Sequence, residues 1–178
     1  MIDRSLFFVS AGEVDPDLMA KGCRTLAKEW STELLFIESG KTTINNLDSF
    51  VKSEHLICLQ GDAALFQSST GSWLEALAAY QYPVILMAEA SKEGIIPGSA
   101  SAYSALCRLL KVSLLGIVQL GGKWNADNRR LDGLPWCGRI SSDLSIERNN
   151  QDNIQSFEDE QIKQVAFILK RNLYALKN

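Results

Sequence analysis

Histidine occurs once in this chain, at position 55, and no two of the four cysteines, Cys23, Cys58, Cys107 and Cys137, stand at a CxxC spacing. Zinc held in the usual tetrahedral thiolate and imidazole sets is therefore not expected. No run of lysine and arginine is long enough to track a phosphate backbone, and the net charge is −3, which argues against nucleic acid as a partner. No apolar run reaches the roughly 20 residues that a membrane helix requires. The chain opens on Asp3, Arg4 and a short strand-like run without the core of a signal peptide. Free thiols suit a reducing compartment, and Cys58 and Cys107 sit in apolar segments as small buried hydrophobes, so the cytoplasm is the expected location.

What is present is apolar matter in short blocks. Hydrophobic residues make up 46% of 178 residues, enough for one domain, 1–178, with a substantial core. The stretch from Tyr82 to Gly122 sets the pattern. Pro83 to Met87 is an apolar run, a small-residue loop follows, then a helix-spaced segment from Ser99 to Lys111, then a second run, Leu114 to Val118. Two strands without polar alternation are expected to be buried on both faces, as in a parallel sheet covered by helices.

Similar runs predict strands at 5–10, 33–37 and 55–59, with 134–140 either a sixth strand or an irregular crossing. Helices are expected from Asp15-Pro16, an N-cap and first helical position, to about Ser31. A weaker one is expected over 44–52, and another after Ser72 and Glu75, a capping-box pair. The last begins near Ser156, with acidic residues leading and basic ones trailing. The segment 119–133 is polar and turn-rich, without a period. The expected fold is a three-layer α/β domain with a mostly parallel sheet of five or six strands. Ligands of such sheets sit at the C-terminal strand ends, which directs attention to the loops at 11–17, 38–43, 60–71, 88–99 and 119–133.

Gly40-Lys41-Thr42 lies between a strand and a helix, as the end of a phosphate-binding P-loop does. The full motif needs glycine at position 35, which holds Leu, so a turn with a solvated lysine is the expectation. A different stretch carries a stronger likeness. LFFVSAGEVDPDLMAKGCRTLA matches, in order and apolar pattern, a strand, P-loop and helix of the form FVTGTDTxVGKT. LICLQGDAALFQSSTGSWLEALAAYQYPVILMAEA follows a VEGAGG strand and loop and a PVILV strand. LLGIVQLGG with GLPWCGRIS follows a GxVxN strand and a later LLGxIP. The chain thus resembles dethiobiotin synthetase and its relatives among the P-loop amide-bond-forming ligases, over about two thirds of its length. The resemblance implies a P-loop NTPase fold and a homodimer.

The family's functional residues do not carry over. Ala11 stands at the first P-loop glycine, and Asp17, Leu18 and Met19 stand at Gly, Lys and Thr. Neither Leu nor Met can neutralise a terminal phosphate or hold magnesium. Glu13, Asp15 and Asp17 place carboxylates at the helix N-terminus where a triphosphate would lie. Gln60 replaces the metal-binding Glu and is a poor magnesium ligand beside a carboxylate. Leu120 stands at the base-reading Asn, and Ser141 at the Pro of LLGxIP. The short 38–54 interval leaves little room for the family's substrate region. No cofactor, metal or catalytic residue is expected, and the implied function is a non-catalytic relative with a binding, regulatory or assembly role. Trp124 and Trp136, large aromatics in polar segments, are expected to pack on one another, on a protein partner or, on an equal footing, into a gap in the core.

An alternative is an enzyme with a repurposed site acting on a small anion. Its candidate residues are Gly98, Ser99 and Ser101 at the start of the 99–111 helix, with Lys92, Lys123, Arg129 and Arg130 around it. The competing reading makes these a capped helix and solvated loop cations. A flavodoxin-like or dinucleotide-binding domain ranks last, because no G-x-G-x-x-G follows a strand.

Overall fold

The structure is a computed structural model and describes residues 5–42, 44, 47, 55–68, 70–142 and 152–176, with side chains from 158 onward in the last helix. Strands and helices run β1 (Leu6–Ser10), α1 (Pro16–Trp30), β2 (Leu34–Glu38), β3 (Leu56–Gln60), α2 (Trp73–Ala79), β4 (Pro83–Glu89), α3 (Ser99–Leu110), β5 (Ser113–Leu120), α4 (Ala126–Leu131), β6 (Trp136–Ile140) and α5 (Asp152–Ala175). The six strands form one sheet in the order β2-β3-β1-β4-β5-β6, and every pairing is parallel. The fold expectation is met, with six strands rather than five.

Alternation along the strands divides the core in two. Leu6 and Phe8 of β1 join Leu56, Cys58, Ile85 and Met87 beneath α1 and α5. Phe7 and Val9 join Ile57, Leu59, Val84 and Leu86 beneath α2 and α3. Side chains on a strand point to opposite faces with period two, so a strand of five buried residues needs a layer on each side. The helix α1 supplies one layer with Met19, Cys23, Leu26, Ala27 and Trp30. Burying each large apolar side chain stabilises the fold by about 1.5–3 kcal/mol.

Capping follows the sequence. The Asp15 carboxylate accepts from the Leu18 N–H at 2.9 Å, with Pro16 as the first helical residue. Ser72 and Glu75 form the reciprocal capping box of α2. Pro83 opens β4, a position where its missing N–H costs no ladder bond within the strand.

Two expectations change and one alternative is resolved. The interval 119–133 contains α4, capped by the Asn125 side chain on the Asn128 N–H at 3.0 Å. The segment 134–140 does hold a strand, β6, paired to β5. The last helix starts at Asp152, one turn ahead of Ser156. The helix expected at 44–52 falls mostly outside the described residues, although Ile44 and Leu47 are buried in the core.

A candidate cleft at the C-terminal strand ends

From β1 the chain leaves toward α1 on one face of the sheet, and from β3 it leaves toward α2 on the other. These neighbouring strands part at their C-terminal ends, and the parting opens a crevice of the kind in which α/β sheets place ligands. A cleft of about 440 Å³ lies there, lined by Ser10, Glu13, Met19, Gln60, Asp62 and Tyr103 among others.

Its floor is built by loop-to-loop hydrogen bonds. Ser10 Oγ donates to the Gly61 carbonyl at 3.0 Å. The Ala11 N–H donates to the Met87 carbonyl at 2.9 Å, extending β1 by one residue. The Ala11 carbonyl accepts from Ser99 Oγ at 2.8 Å, which fastens the start of α3 to this loop. Gly12 sits at φ +93°, and a Cβ there would lie 2.5 Å from Ser99 Cβ and Oγ. Only glycine allows both that backbone and that approach.

The N-terminus of α1 is the place where a P-loop fold presents amide hydrogens to phosphate. Here carboxylates take two of these amide hydrogens. Glu89, the last residue of β4, accepts from the Asp15 N–H at 2.8 Å. Asp15 in turn accepts from the Leu18 N–H, Pro16 has no N–H, and the Met19 N–H is already committed to the Asp15 carbonyl at 2.8 Å. The residues standing for Lys and Thr turn to the core: Met19 is 2% exposed and Leu18 packs against the same cluster. Gln60 ends β3 half-buried at the cleft, and Ala11 is buried, while Asp17 is exposed.

Opposite, the Tyr103 hydroxyl donates to Asp62 Oδ1, which also accepts from the Ala64 N–H at 2.8 Å. Burial first, and the Asp62 carboxylate second, push the Tyr103 hydroxyl well above the ordinary phenol range, so it remains a donor.

A second cleft, of about 360 Å³, lies between the 93–98 loop and α4. Gly98, Ser101 and Arg129 line it, with Glu93, Asn125 and Asp132. Ser101 Oγ donates to the Gly98 carbonyl at 2.8 Å, within its own helix start. Ser99 instead turns to Ala11 and the first cleft.

Arg129 is 8% exposed and its donors are engaged. Nε donates to Gln119 Oε1 at 3.2 Å, one terminal nitrogen donates to the Gly94 carbonyl at 2.6 Å, and the other lies 3.6 Å from Asp132. The guanidinium stands 4.9 Å from the Trp136 ring centre and 5.9 Å from that of Trp124. The two indoles meet edge to face at 6.3 Å, so the tryptophans pack on one another around an arginine. Lys92, Lys123 and Arg130 are exposed and are not among the lining side chains. The first two meet only through the backbone, and Arg130 lies 3.8 Å from Asp127. In the same loop the Glu93 carboxyl is held below the usual range by its own backbone N–H and the Ser91 hydroxyl.

Glu89, Asp62, Tyr103 and Gln119 were not singled out from sequence. Glu89 and Asp62 carried a usable signal, since each is a charge at or just beyond the end of an apolar strand. Among the described residues no group of three or more His, Cys, Asp or Glu is placed to hold a metal ion. No helix among them is long and apolar enough to cross a membrane.

No family model matches the sequence, and no curated protein matches it. Among solved structures, the chain is similar to a candidate plasmid partition protein from Borrelia burgdorferi B31, crystallised bound to AMPPNP. The TM-score is 0.53 at 12% identity, over 96% of this chain and 99% of that one. At that identity the likeness is one of fold. The two share a parallel α/β fold, and the likeness does not single out the dethiobiotin synthetases.

Proposed function

We propose that this chain is a P-loop-fold protein of the dethiobiotin synthetase-like kind that has lost nucleotide chemistry. It works as a cytoplasmic, homodimeric binding, regulatory or assembly protein. One observation carries the reading: two amide hydrogens at the start of α1, those of Asp15 and Leu18, are taken by the Glu89 and Asp15 carboxylates. A triphosphate arriving there would meet fixed negative charge in place of donors, with no lysine to offset it. The buried Met19 and the neutral Gln60 agree with this.

The structural neighbour was crystallised with AMPPNP, which makes a nucleotide the natural ligand to test. Isothermal titration with ATP and magnesium is expected to give no binding heat, and a phosphate-release assay no turnover. Tight magnesium-dependent binding with turnover would sink the reading.

A second reading puts a small anion in the cleft beside Gly98, Ser101 and Arg129. It has one cation to draw on, and that cation already serves Gln119, Gly94 and Asp132. Glu93 and Asp132 oppose an anion in the same cleft.

A further inference from the structure

We propose that the outward face of α5 docks a second copy of this chain, the two helices lying antiparallel about a two-fold axis. The proposal rests on the homodimer of the functional reading above and names the surface that forms it.

The helix α5 turns Ile162, Val165, Ala166, Leu169 and Leu173 into the core. On its other side Glu160, Gln164, Phe167, Arg171 and Tyr174 are all exposed, and they follow one another at steps of four and three. That alternation keeps the five side chains on one narrow stripe, the kind of seam along which two helices pack at a shallow angle. Two of the five are aromatic, with Phe167 66% exposed and Tyr174 53%. Aromatic side chains are enriched at protein interfaces.

The order of charge along the stripe selects the occupant. Glu160 stands near its start and Arg171 near its end, and neither makes an ion pair among the described residues. The helix dipole favours acid first and base last, but it does not require both charges to share a seam with Phe167. Parallel packing on a second copy would set Glu160 against Glu160 and Arg171 against Arg171. Antiparallel packing reverses this. With the axis passing between Val165 and Ala166, Glu160 of each copy faces Arg171 of the other, and Gln164 faces Phe167. The central stripe positions thus meet stripe positions, and the two-fold makes each pair occur twice. The two Phe167 rings come within one helical turn of each other, close enough for an offset stack. The seam covers about four turns and is largely polar, so the contact is small and the dimer weak, with dissociation in the micromolar range.

Sedimentation equilibrium of the full chain, from about 5 µM to about 500 µM, tests this. A monomer–dimer equilibrium is expected. Glu160→Arg and Arg171→Glu should each raise the dissociation constant about tenfold, because each sets like charges opposite one another twice. The double variant, with both charges reversed, should return to within about threefold of the parent. Phe167→Ser should weaken the dimer about tenfold. All three positions are exposed, so the far-ultraviolet spectrum should not change.

A dimer whose constant ignores every variant overturns the surface and leaves the homodimer of the functional reading standing. Losses in the single reversals without recovery in the double variant overturn the antiparallel register. A chain that stays monomeric throughout overturns the surface and the homodimer together. If that monomer binds phosphatidylserine vesicles through Lys163 and Arg171, the occupant is a membrane surface and the inference falls in the same way.

Discussion

Replacing Arg129 by alanine separates a structural arginine from an anion-binding one. Truncation removes two hydrogen bonds from a charged donor, to Gln119 Oε1 and to the Gly94 carbonyl. Bonds of that kind contribute about 1.5–3 kcal/mol each. Gln119 is 0% exposed, so its oxygen is left without water to replace the guanidinium. The cation-π contacts with Trp136 and Trp124 add about 0.5–2 kcal/mol. Against these stands the relief of desolvating a cation that is 8% exposed, which offsets several kcal/mol of the gross total. The net expectation is a destabilisation of about 3 kcal/mol. In urea, with a slope of about 2 kcal/mol per molar, the midpoint falls by about 1.5 M. Arg129→Lys recovers only part of this, since an ammonium cannot reach two acceptors in a planar fork. A midpoint shift below about 0.3 M for Arg129→Ala, with native folding intact, would refute the structural role and return Arg129 to the pool of ligand-binding candidates.

Two further outcomes are expected. Gly12→Ala forces a Cβ to within 2.5 Å of Ser99 at φ +93°, and should lower stability by about 1–3 kcal/mol in thermal melts, whereas Ser99→Ala in the same background recovers little because the backbone strain remains. All four cysteines are free and buried, and burial pushes the Cys107 and Cys137 thiols up to about 11 and raises Cys23 as well. An aromatic disulfide reagent at pH 8 should therefore find no thiol reacting in the first minutes and all four on unfolding, and immediate reaction of any one would contradict the packing.

How much of this was legible in the sequence depends on the range of the interactions. The strands were legible because each is a short run of side chains that must be dry on both faces, as in β1 and β4. Their ends moved by a residue or two because polar residues such as Gln60 and Glu89 still pair in the ladder. The helix α4 was not legible. Its six residues, ADNRRL, bury a single side chain, and that side chain is Arg129. No apolar period can emerge from such a segment, and the Asn125 cap was the one local signal. Arg129 itself reads as a solvated loop cation until Trp124 and Trp136 are seen around it. The departure from the P-loop pattern was visible in Leu18 and Met19, both in the same short stretch. The carboxylate that meets the Asp15 N–H was not, because Glu89 reaches Asp15 across 74 residues of sequence.

That long contact bears on why the missing residues are missing together. The start of a helix offers a small fixed set of amide hydrogens and one end of a dipole. A tethered carboxylate that takes one of them, as Glu89 takes the Asp15 N–H, is present at a high effective concentration and costs no translational entropy to hold, so a free nucleotide reaching that amide would have to displace it. On the proposed reading a lysine at position 18 would have no phosphate to neutralise, and an apolar residue would gain more by packing on the core, where Leu18 and Met19 lie. The same reading would leave a metal ligand at position 60 without use, because magnesium would have no phosphate oxygen to bridge. Restoring the lysine alone leaves Glu13, Asp15, Asp17 and Glu89 in place. Those four carboxylates, and not the single lost cation, set the sign of the potential that any ligand meets on entering the cleft.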